Sequence, residues 1–218
     1  MTEASQPDQS ALERIVEQAI SLARARGATA AEAGVGVSTG LSVTVRLGEV
    51  ETLEYQRDRS LGVTVYAGQR KGSASTANLS PGAVEETVAK ALSIATFTTE
   101  DQYAGLPDAA LMASNLPDLD LCHPWELDAS GAIDLAKRCE AAGLATDQRI
   151  RNSEGASVST HRKLRVFGNS HGFVGGYPST SHSVSCVVLG QDDDDMQRDY
   201  WYTAARDWRA LEDIEEVG

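Results

Sequence analysis

Residues Leu164 to Leu189 are the most informative part of the sequence for the fold, and they read LRVFGNSHGFVGGYPSTSHSVSCVVL. At its centre, Asn169–Gly172 is a run of turn-forming residues, because Asn, Ser and Gly either tolerate positive φ or bond their own backbone. The segments 164–168 and 173–189 on either side are rich in valine, phenylalanine, serine and threonine, a composition typical of half-buried β-strands. The stretch therefore predicts an antiparallel hairpin with one polar face.

The tip of this hairpin carries the candidate functional residues Asn169, Ser170, His171 and Gly172. Amide, hydroxyl and imidazole groups at a glycine-flanked tip are expected to be exposed, where they can face a substrate or a partner protein. The alternative is an ordinary antiparallel hairpin whose polar residues form its solvent-facing side. Both interpretations are compatible with the sequence.

Residues 1–100 predict a first subdomain that begins and ends with a helix. Ser10 and Glu13 form a capping-box pair in front of apolar residues spaced three and four apart, and Gly27 supplies the C-terminal stop. The second helix begins at Ser80–Pro81, where an N-cap hydroxyl precedes a proline at the first helical position. We expect both helices to pack on a sheet formed by the residues between them.

The sheet residues show a period of two. Alternating apolar and polar side chains over 35–78 predict about four or five half-buried antiparallel strands, with Gly40 breaking the first run. Residues 101–124 lose this period and contain three prolines, which indicates a linker or a functional loop. Residues 125–218 predict a second helix-plus-strand subdomain. The fold class is therefore α+β, with antiparallel sheets flanked by helices in two subdomains.

The second subdomain begins with a helix that has Asp128 or Ser130 at its N-cap. Strand-like runs follow at 150–154 and 156–161, before the hairpin. The final stretch, Trp208–Gly218, resembles the opening of a new element. We therefore expect further sequence after Gly218 in the complete protein.

The composition favours a cytoplasmic protein that binds neither nucleic acid nor membranes. The formal net charge is −13, with 19 basic against 32 acidic side chains, and such a field repels phosphate backbones. The N-terminus shows no signal-peptide pattern, and no apolar run is long enough to span a bilayer. The cysteines Cys122, Cys139 and Cys186 are far apart and odd in number, which suits a reducing compartment.

Three familiar catalytic and metal-binding motifs are absent from the sequence. It contains no H-E-x-x-H, no C-x-x-C and no P-loop. The acidic run Asp192–Asp195 lacks the central glycine and terminal glutamate of an EF-hand loop, which indicates a solvated turn. A zinc site would require His171, His182 and Cys186 to converge, and surface or half-buried imidazoles are the simpler interpretation. The residues therefore predict no catalytic residue and no metal ligand in this chain.

Two further groups of residues have both a structural and a functional interpretation. Cys186 lies in a valine-rich run, which favours an inert core thiol over a reactive one. Tyr200, Trp201, Tyr202 and Trp208 are the densest aromatic group. Such a group is typical either of core and interface packing or of an anchor for a partner protein.

A series of short segments, in a fixed order along the chain, resembles one known family. The segments are GEVE at 48–51, LGVTVY at 61–66, RKGSAS at 70–75, LSP at 79–81, PDLDL at 117–121, HP at 123–124, NSEG at 152–155, VFGNSHG at 166–172 and RDY at 198–200. Together they resemble the PmbA/TldE branch of the TldD/PmbA proteins, which form peptidase family U62 and were once called modulators of DNA gyrase. The resemblance extends from about the first helix to Tyr202.

The resemblance implies a cytoplasmic role in proteolysis. Proteins of this family are longer than 218 residues and carry a C-terminal β-rich domain, which is absent here. In the TldD branch that domain bears an H-E-x-x-x-H zinc motif. The PmbA/TldE branch lacks the metal ligands and pairs with TldD in a heterodimeric protease that degrades unfolded peptides and matures a peptide antibiotic. No catalytic residue of the family has a matching position in this chain, so zinc is expected only in a TldD-like partner.

Two alternative functions belong to other classes of protein. One is a regulatory interaction protein without a catalytic partner, as the older name of gyrase modulator suggests. The other is a free-standing peptide-binding module, since sheets with polar faces and glycine-rich strands suit strand addition. Co-purification distinguishes these from the protease subunit, which alone requires a TldD-like partner.

Overall fold

The computed structural model describes residues 8–113 and 115–218 of the chain. Residues 1–7 lie outside the described residues. They belong to the predicted first subdomain and include the N-terminus, where the sequence shows no signal-peptide pattern. The elements are, in chain order, α1 Gln9–Ala25, β1 Ala30–Arg46, β2 Glu49–Ala67, β3 Arg70–Thr76, α2 Pro81–Phe97, α3 Ala129–Ala145, β4 Ile150–Asn169, β5 Val174–Asp192, β6 Asp195–Ala205 and α4 Ile214–Val217. Short 3₁₀ turns lie at Ala109–Leu111 and Trp208–Ala210.

The six described strands form one sheet in the order β3-β2-β1-β4-β5-β6. Its pairing is antiparallel, with Leu61 opposite Thr76 between β2 and β3 and Val184 opposite Thr203 between β5 and β6. The predicted α+β class with antiparallel pairing and flanking helices is confirmed. The predicted hairpin is also present, with its strands β4 and β5 ending and beginning around residues 170–173.

Strands that the sequence pattern divides are continuous in the structure. The break predicted at Gly40 is wrong, because β1 passes through it, and β4 likewise passes through Gly155 despite a φ of +109° there. A sheet is held by main-chain hydrogen bonds, which glycine makes as well as any other residue. At Gly40 a Cβ would overlap the imidazole of His161, so the glycine permits a close side-chain contact instead of ending the strand.

The chain forms two compact units, each assembled from three stretches. The first comprises Met1–Val37, Asp58–Leu119 and Leu164–Pro178, and the second comprises Ser38–Arg57, Asp120–Lys163 and Ser179–Gly218. Each unit has its own hydrophobic cluster of buried residues. The division at 1–100, 101–124 and 125–218 stays a prediction about domains.

In the first unit, α1 packs one face against the sheet. Leu12, Val16, Ala19 and Ala23 are fully buried at the three- and four-residue spacing of an amphipathic helix. The predicted capping box is wrong, because Asp8 is the N-cap and its carboxylate accepts from the Ala11 amide at 2.7 Å. A carboxylate accepts such a bond as well as a hydroxyl does. The helix ends as predicted before glycine 27, whose φ is +96°.

In the second unit, α3 has Asp128 at its N-cap, with the carboxylate accepting from the Gly131 amide at 2.8 Å. Of the two predicted N-cap residues, Asp128 and Ser130, the structure therefore selects Asp128. The helix buries Ala132, Ala136 and Cys139 against the sheet, and the short α4 adds Val217 to the same cluster. Small residues on the buried face let the helix approach the strands closely.

The β1–β2 turn of the second unit is organised by a buried glutamate of α3. Leu47 and Gly48 both have positive φ, at 50° and 79°, as a tight hairpin turn requires. Their amides donate to Oε1 and Oε2 of Glu140 at 2.7 and 2.8 Å, and the hydroxyl of Ser153 also donates to Oε1. Glu140 is 1% exposed, so its charge is compensated by these donors.

Candidate functional site

The predicted functional loop, residues 169–172, closes the β4–β5 hairpin in the first unit. The Asn169 amide donates to Phe173 O at 2.9 Å, and the Gly172 amide donates back to Asn169 O at 3.1 Å. The side-chain oxygen of Asn169 accepts from the His171 amide at 3.0 Å. Gly172 has a φ of +93°, which glycine adopts without strain. The loop is thus a tight turn braced from within by Asn169.

The expected exposure of the whole tip is wrong for Asn169, which is only 2% exposed. Its Oδ1 is used by the turn, whereas its Nδ2 has no hydrogen-bond partner among residues 8–113 and 115–218. An unpaired buried amide donor costs about 1–3 kcal/mol. Its burial follows from its position at the end of β4, where the side chain packs under the turn that it braces.

Ser170 ties the loop to the beginning of β1. Its amide donates to Ala31 O at 2.8 Å, and its hydroxyl accepts from the Ala31 amide at 3.0 Å. Serine side chains often stabilise backbone in this way. The hydroxyl of Ser170 therefore works as a structural acceptor in the first unit.

His171 is the exposed polar side chain of the loop. Its Nε2 lies 3.1 Å from Pro107 O, and because a carbonyl only accepts, Nε2 carries the hydrogen. In the neutral ring this leaves Nδ1 as an acceptor. The loop therefore presents one imidazole and the exposed Gly172, while its other side chains hold it in place. That these residues face a substrate or partner stays a prediction.

A second group of polar residues, in the second unit, was not recognised in the sequence. His182 is 1% exposed and both of its ring nitrogens are engaged. Nε2 donates to His123 O at 3.0 Å, and Thr160 Oγ1 lies 2.9 Å from Nδ1. The Trp125 and His182 rings form a T-shaped pair at 5.6 Å between centroids, and Trp125 stacks on Trp208 at 5.7 Å.

Thr180 fixes the segment that carries His123. Its hydroxyl accepts from the His123 amide at 2.9 Å and lies 2.7 Å from Arg206 O, to which it donates. Its amide donates to Leu121 O at 2.9 Å. The residues after position 120 are thereby attached to β5. Nothing in the spacing of the sequence signals these contacts, because each joins residues far apart along the chain.

These residues border an open cavity of about 260 Å³. Its lining is aromatic and polar, and its residues are Thr39, Gly40, Leu41, Tyr55, Pro124, Trp125, Glu126, Thr160, His161, Arg162, Thr180 and His182. Small-molecule sites usually occupy about 300–1,000 Å³. The cavity thus lies just below the lower end of this range.

The aromatic group near the C-terminus is divided between exposed and packed positions. Tyr200, Trp201 and Tyr202 on β6 are more than half exposed. The two tyrosine rings stack at 6.5 Å, and Trp201 Nε1 donates to Glu212 Oε2 at 3.2 Å. Trp208 instead packs on Trp125. Core packing therefore does not describe the three β6 residues, and a partner anchor stays a hypothesis.

The described residues do not fit a zinc site. Within residues 8–113 and 115–218, no three His, Cys, Asp or Glu side chains come together in a way that could hold a metal ion. His182 has both nitrogens in hydrogen bonds.

Over the same ranges, none of the helices combines the length and the apolar character that crossing a membrane requires.

Several groups with a perturbed pKa are surface carboxylates paired with arginine. The side-chain hydrogen bond from Arg209 lowers the pKa of Asp207 to about 2, with help from the Arg209 amide and the nearby His123. A similar bond from Arg149 holds the pKa of Asp147 well below its usual range. Such pairs stabilise turns, and neither supplies a general acid or base near neutral pH.

Comparison with known proteins defines the class. The PmbA/TldA metallopeptidase domain 1 matches residues 31–95, and the PmbA/TldA metallopeptidase central domain matches residues 122–218. The chain belongs to this metallopeptidase family, as the resemblance implied.

The curated relatives are bacterial proteins of the PmbA type. The chain is 48% identical over 207 residues to Metalloprotease PmbA of Escherichia coli O157:H7, and 44% identical over 207 residues to a Metalloprotease PmbA homolog of Haemophilus influenzae. Each match covers 95% of this chain and 46% of the relative. The chain therefore spans less than half the length of the relatives that it matches.

Solved structures share the fold at low sequence identity. A Bacteroides thetaiotaomicron protein described as a candidate modulator of DNA gyrase superposes with a TM-score of 0.85 at 22% identity, over 94% of this chain and 48% of that protein. TldE from Thermococcus kodakarensis superposes with a TM-score of 0.73 at 17% identity, over 93% and 45%. At such identities these likenesses establish the fold.

Proposed function

We propose that this chain acts in a TldD/TldE-type cytoplasmic metalloprotease as part of the subunit that does not bind zinc. A TldD-like partner supplies the zinc, and the complex hydrolyses unfolded peptides. This chain contributes to peptide binding and to assembly of the complex. The cytoplasmic location, the partner and the peptide substrates are all parts of this proposal.

One observation carries the proposal: over 207 residues the chain is 48% identical to Metalloprotease PmbA of Escherichia coli O157:H7. Both PmbA/TldA domain models match the chain as well. The resemblance to the PmbA/TldE branch implies the subunit without zinc ligands. Hydrolysis by zinc needs about three protein ligands and an open position for water, so this assignment requires a partner that binds the metal.

The hairpin loop is the surface that we assign to peptide or partner contact. His171 is exposed, and its Nδ1 can accept a hydrogen bond from a backbone amide of an extended chain. Asn169 and Ser170 keep the loop rigid through their bonds to His171 and Ala31. A rigid loop loses little conformational entropy on binding, which favours affinity.

Co-purification with a TldD-like subunit tests the assignment. The tagged chain is mixed with the untagged partner, and the complex is isolated by size-exclusion chromatography. We expect co-elution together with cleavage of an unfolded peptide such as reduced casein. A regulatory protein or a free-standing peptide-binding module predicts no such complex, so the absence of co-elution would favour those alternatives.

A loop variant tests the assigned surface. We expect His171→Ala to lower partner-dependent cleavage or co-elution several-fold without changing thermal stability, because His171 is exposed. The matched control is Asp194→Ala, which is also exposed and lies in the turn of another hairpin, β5–β6. Equal activity of the two variants would show that the 169–172 loop is structural.

A further inference from the structure

Two cysteines from distant parts of the sequence lie in the core of the second unit. Cys139 on α3 is fully buried, and Cys186 on β5 is 3% exposed. Both belong to the same cluster of buried residues, and neither is in a disulfide. The sequence favours inert core thiols at such positions.

The packing of α3 on β5 places Cys186 beside the helical turn that follows Cys139. Gly143 lies one helical turn after Cys139 on the same face of α3. A Cβ at Gly143 would lie 3.1 Å from Cys186 Sγ and 3.1 Å from Val188 Cγ1. The absence of a side chain there lets β5 approach the helix, so that Cys186 Sγ sits against the turn between Cys139 and Gly143.

The two thiols have different chemical roles. Their mutual hydrogen bond is the main factor that raises the pKa of Cys139 and the main factor that lowers the pKa of Cys186. Burial opposes ionisation at both sulfurs. Cys139 is therefore the S–H donor, and Cys186 is the sulfur that becomes a thiolate. Thiolates are the nucleophiles in oxidation, so Cys186 is the one that reacts first.

We propose that Cys139 and Cys186 are a site of reversible oxidative modification that forms a disulfide between α3 and β5 in response to a hydroperoxide. The Cys186 thiolate attacks one peroxide oxygen, which gives a sulfenic acid and releases hydroxide. The Cys139 sulfur then attacks the sulfenic sulfur, forming the S–S bond and releasing water. The proton lost by Cys186 neutralises the hydroxide, so two thiols are oxidised and one hydrogen peroxide is reduced to water.

The short helix α4 controls access to this pair. Val217 of α4 is 2% exposed and packs in the same cluster, and Glu215 accepts a hydrogen bond from Arg138 Nε at 2.7 Å. A Cβ at Gly143 would lie 2.9 Å from Gly218 O, which places the end of α4 directly over the turn of α3 that follows Cys139. A small oxidant such as hydrogen peroxide reaches the sulfurs when this helix opens locally.

Thiol counting after peroxide treatment tests the proposal. In the Cys122→Ser background only the proposed pair remains. The folded chain is exposed to hydrogen peroxide, treated with catalase, unfolded, and labelled with N-ethylmaleimide. We expect loss of both alkylatable thiols, a mass lower by two hydrogen atoms, one linked peptide containing Cys139 and Cys186, and recovery of both thiols on reduction.

Single substitutions in that background assign the order of events. In Cys139→Ala, the Cys186 sulfenic acid has no resolving thiol and should be captured by dimedone. In Cys186→Ala, Cys139 should stay alkylatable. If either variant fails to fold, peptide mapping of the unsubstituted chain still shows whether Cys139 and Cys186 become linked.

Three results would overturn the proposal. The first is that Cys139 and Cys186 both stay free at a peroxide dose that oxidises Cys122 in the unsubstituted protein. The second is a disulfide that links only separate chains. The third is equally fast oxidation of Cys139 when Cys186 is absent.

Discussion

The buried carboxylate of Glu140 accepts hydrogen bonds from both amides at the centre of the β1–β2 turn. Glu140→Gln replaces one acceptor oxygen by a donor that faces the amide of Leu47 or Gly48. We expect a loss of about 2 kcal/mol in the free energy of unfolding, because a charge-assisted hydrogen bond is lost and a buried donor is left unpaired. Urea denaturation followed by circular dichroism measures this value.

The matched control for this change is Asp134→Asn, an exposed carboxylate on the same helix. Surface substitutions of this kind usually change stability by less than about 0.5 kcal/mol. A Glu140→Gln chain as stable as the Asp134→Asn chain would show that the turn forms without the carboxylate.

Asp207 provides a pH-dependent prediction. Its pKa is lowered from 3.8 to about 2, chiefly by the hydrogen bond from Arg209. A folded-state pKa below the unfolded value means that this pair stabilises the fold above pH 3.8 and that the contribution is lost as the pH falls through about 2. We expect Arg209→Ala to move the titration of Asp207 upward towards 3.8, measured by carboxyl-carbon NMR.

Asp147 is the internal control for that titration, because its own low pKa depends on Arg149. It should titrate unchanged in Arg209→Ala. An unchanged Asp207 in the same spectra would contradict the assignment of its shift to Arg209.

At the scale of the element, Gly72 is what lets α2 lie on β3. A Cβ at Gly72 would overlap Ala91 O and would come within 2.5 Å of the Ala95 amide nitrogen, both in the backbone of α2. Backbone cannot swing away as a side chain can, so we expect Gly72→Ala to destabilise the chain by about 1–3 kcal/mol. Thermal unfolding monitored by circular dichroism measures the loss.

Gly62 is the comparison position for this prediction. It lies on the neighbouring strand β2, and a Cβ there would meet nothing within 4 Å. We expect Gly62→Ala to be neutral or slightly stabilising, because alanine restricts the unfolded chain. Equal stability of the two variants would mean that α2 does not depend on close contact with β3.

Helices and strand faces followed from the sequence, whereas strand lengths did not. The apolar spacing of α1 and the alternation in β2 reflect burial on one face, which is a local property. β1 continues through Gly40 because glycine keeps the main-chain hydrogen bonds of the sheet. The contact that requires a glycine there is with His161, which is far away in the sequence. Asp8, and not the predicted Ser10, caps α1. Several residue types make the same capping bond, so the sequence pattern alone does not select among them.

At the scale of the whole molecule, the hairpin loop was located from the sequence but its internal roles were not. Turn residues identify a loop, whereas the burial of Asn169 and the bonds of Ser170 to Ala31 depend on tertiary packing. The His182–Thr160 contact and the cavity beside Trp125 have no sequence signature. Family membership came from an ordered set of segments, which carries information about ancestry that single motifs lack.

We propose that proteolytic activity requires a partner that brings zinc. The most direct measurement is metal analysis together with cleavage of reduced casein for the lone chain, for a TldD-like subunit, and for their mixture. We predict no stoichiometric zinc and no cleavage for the lone chain, and chelator-sensitive cleavage when a partner supplying an H-E-x-x-x-H helix is added. One equivalent of zinc in the lone chain, with cleavage that a chelator abolishes, would contradict the account.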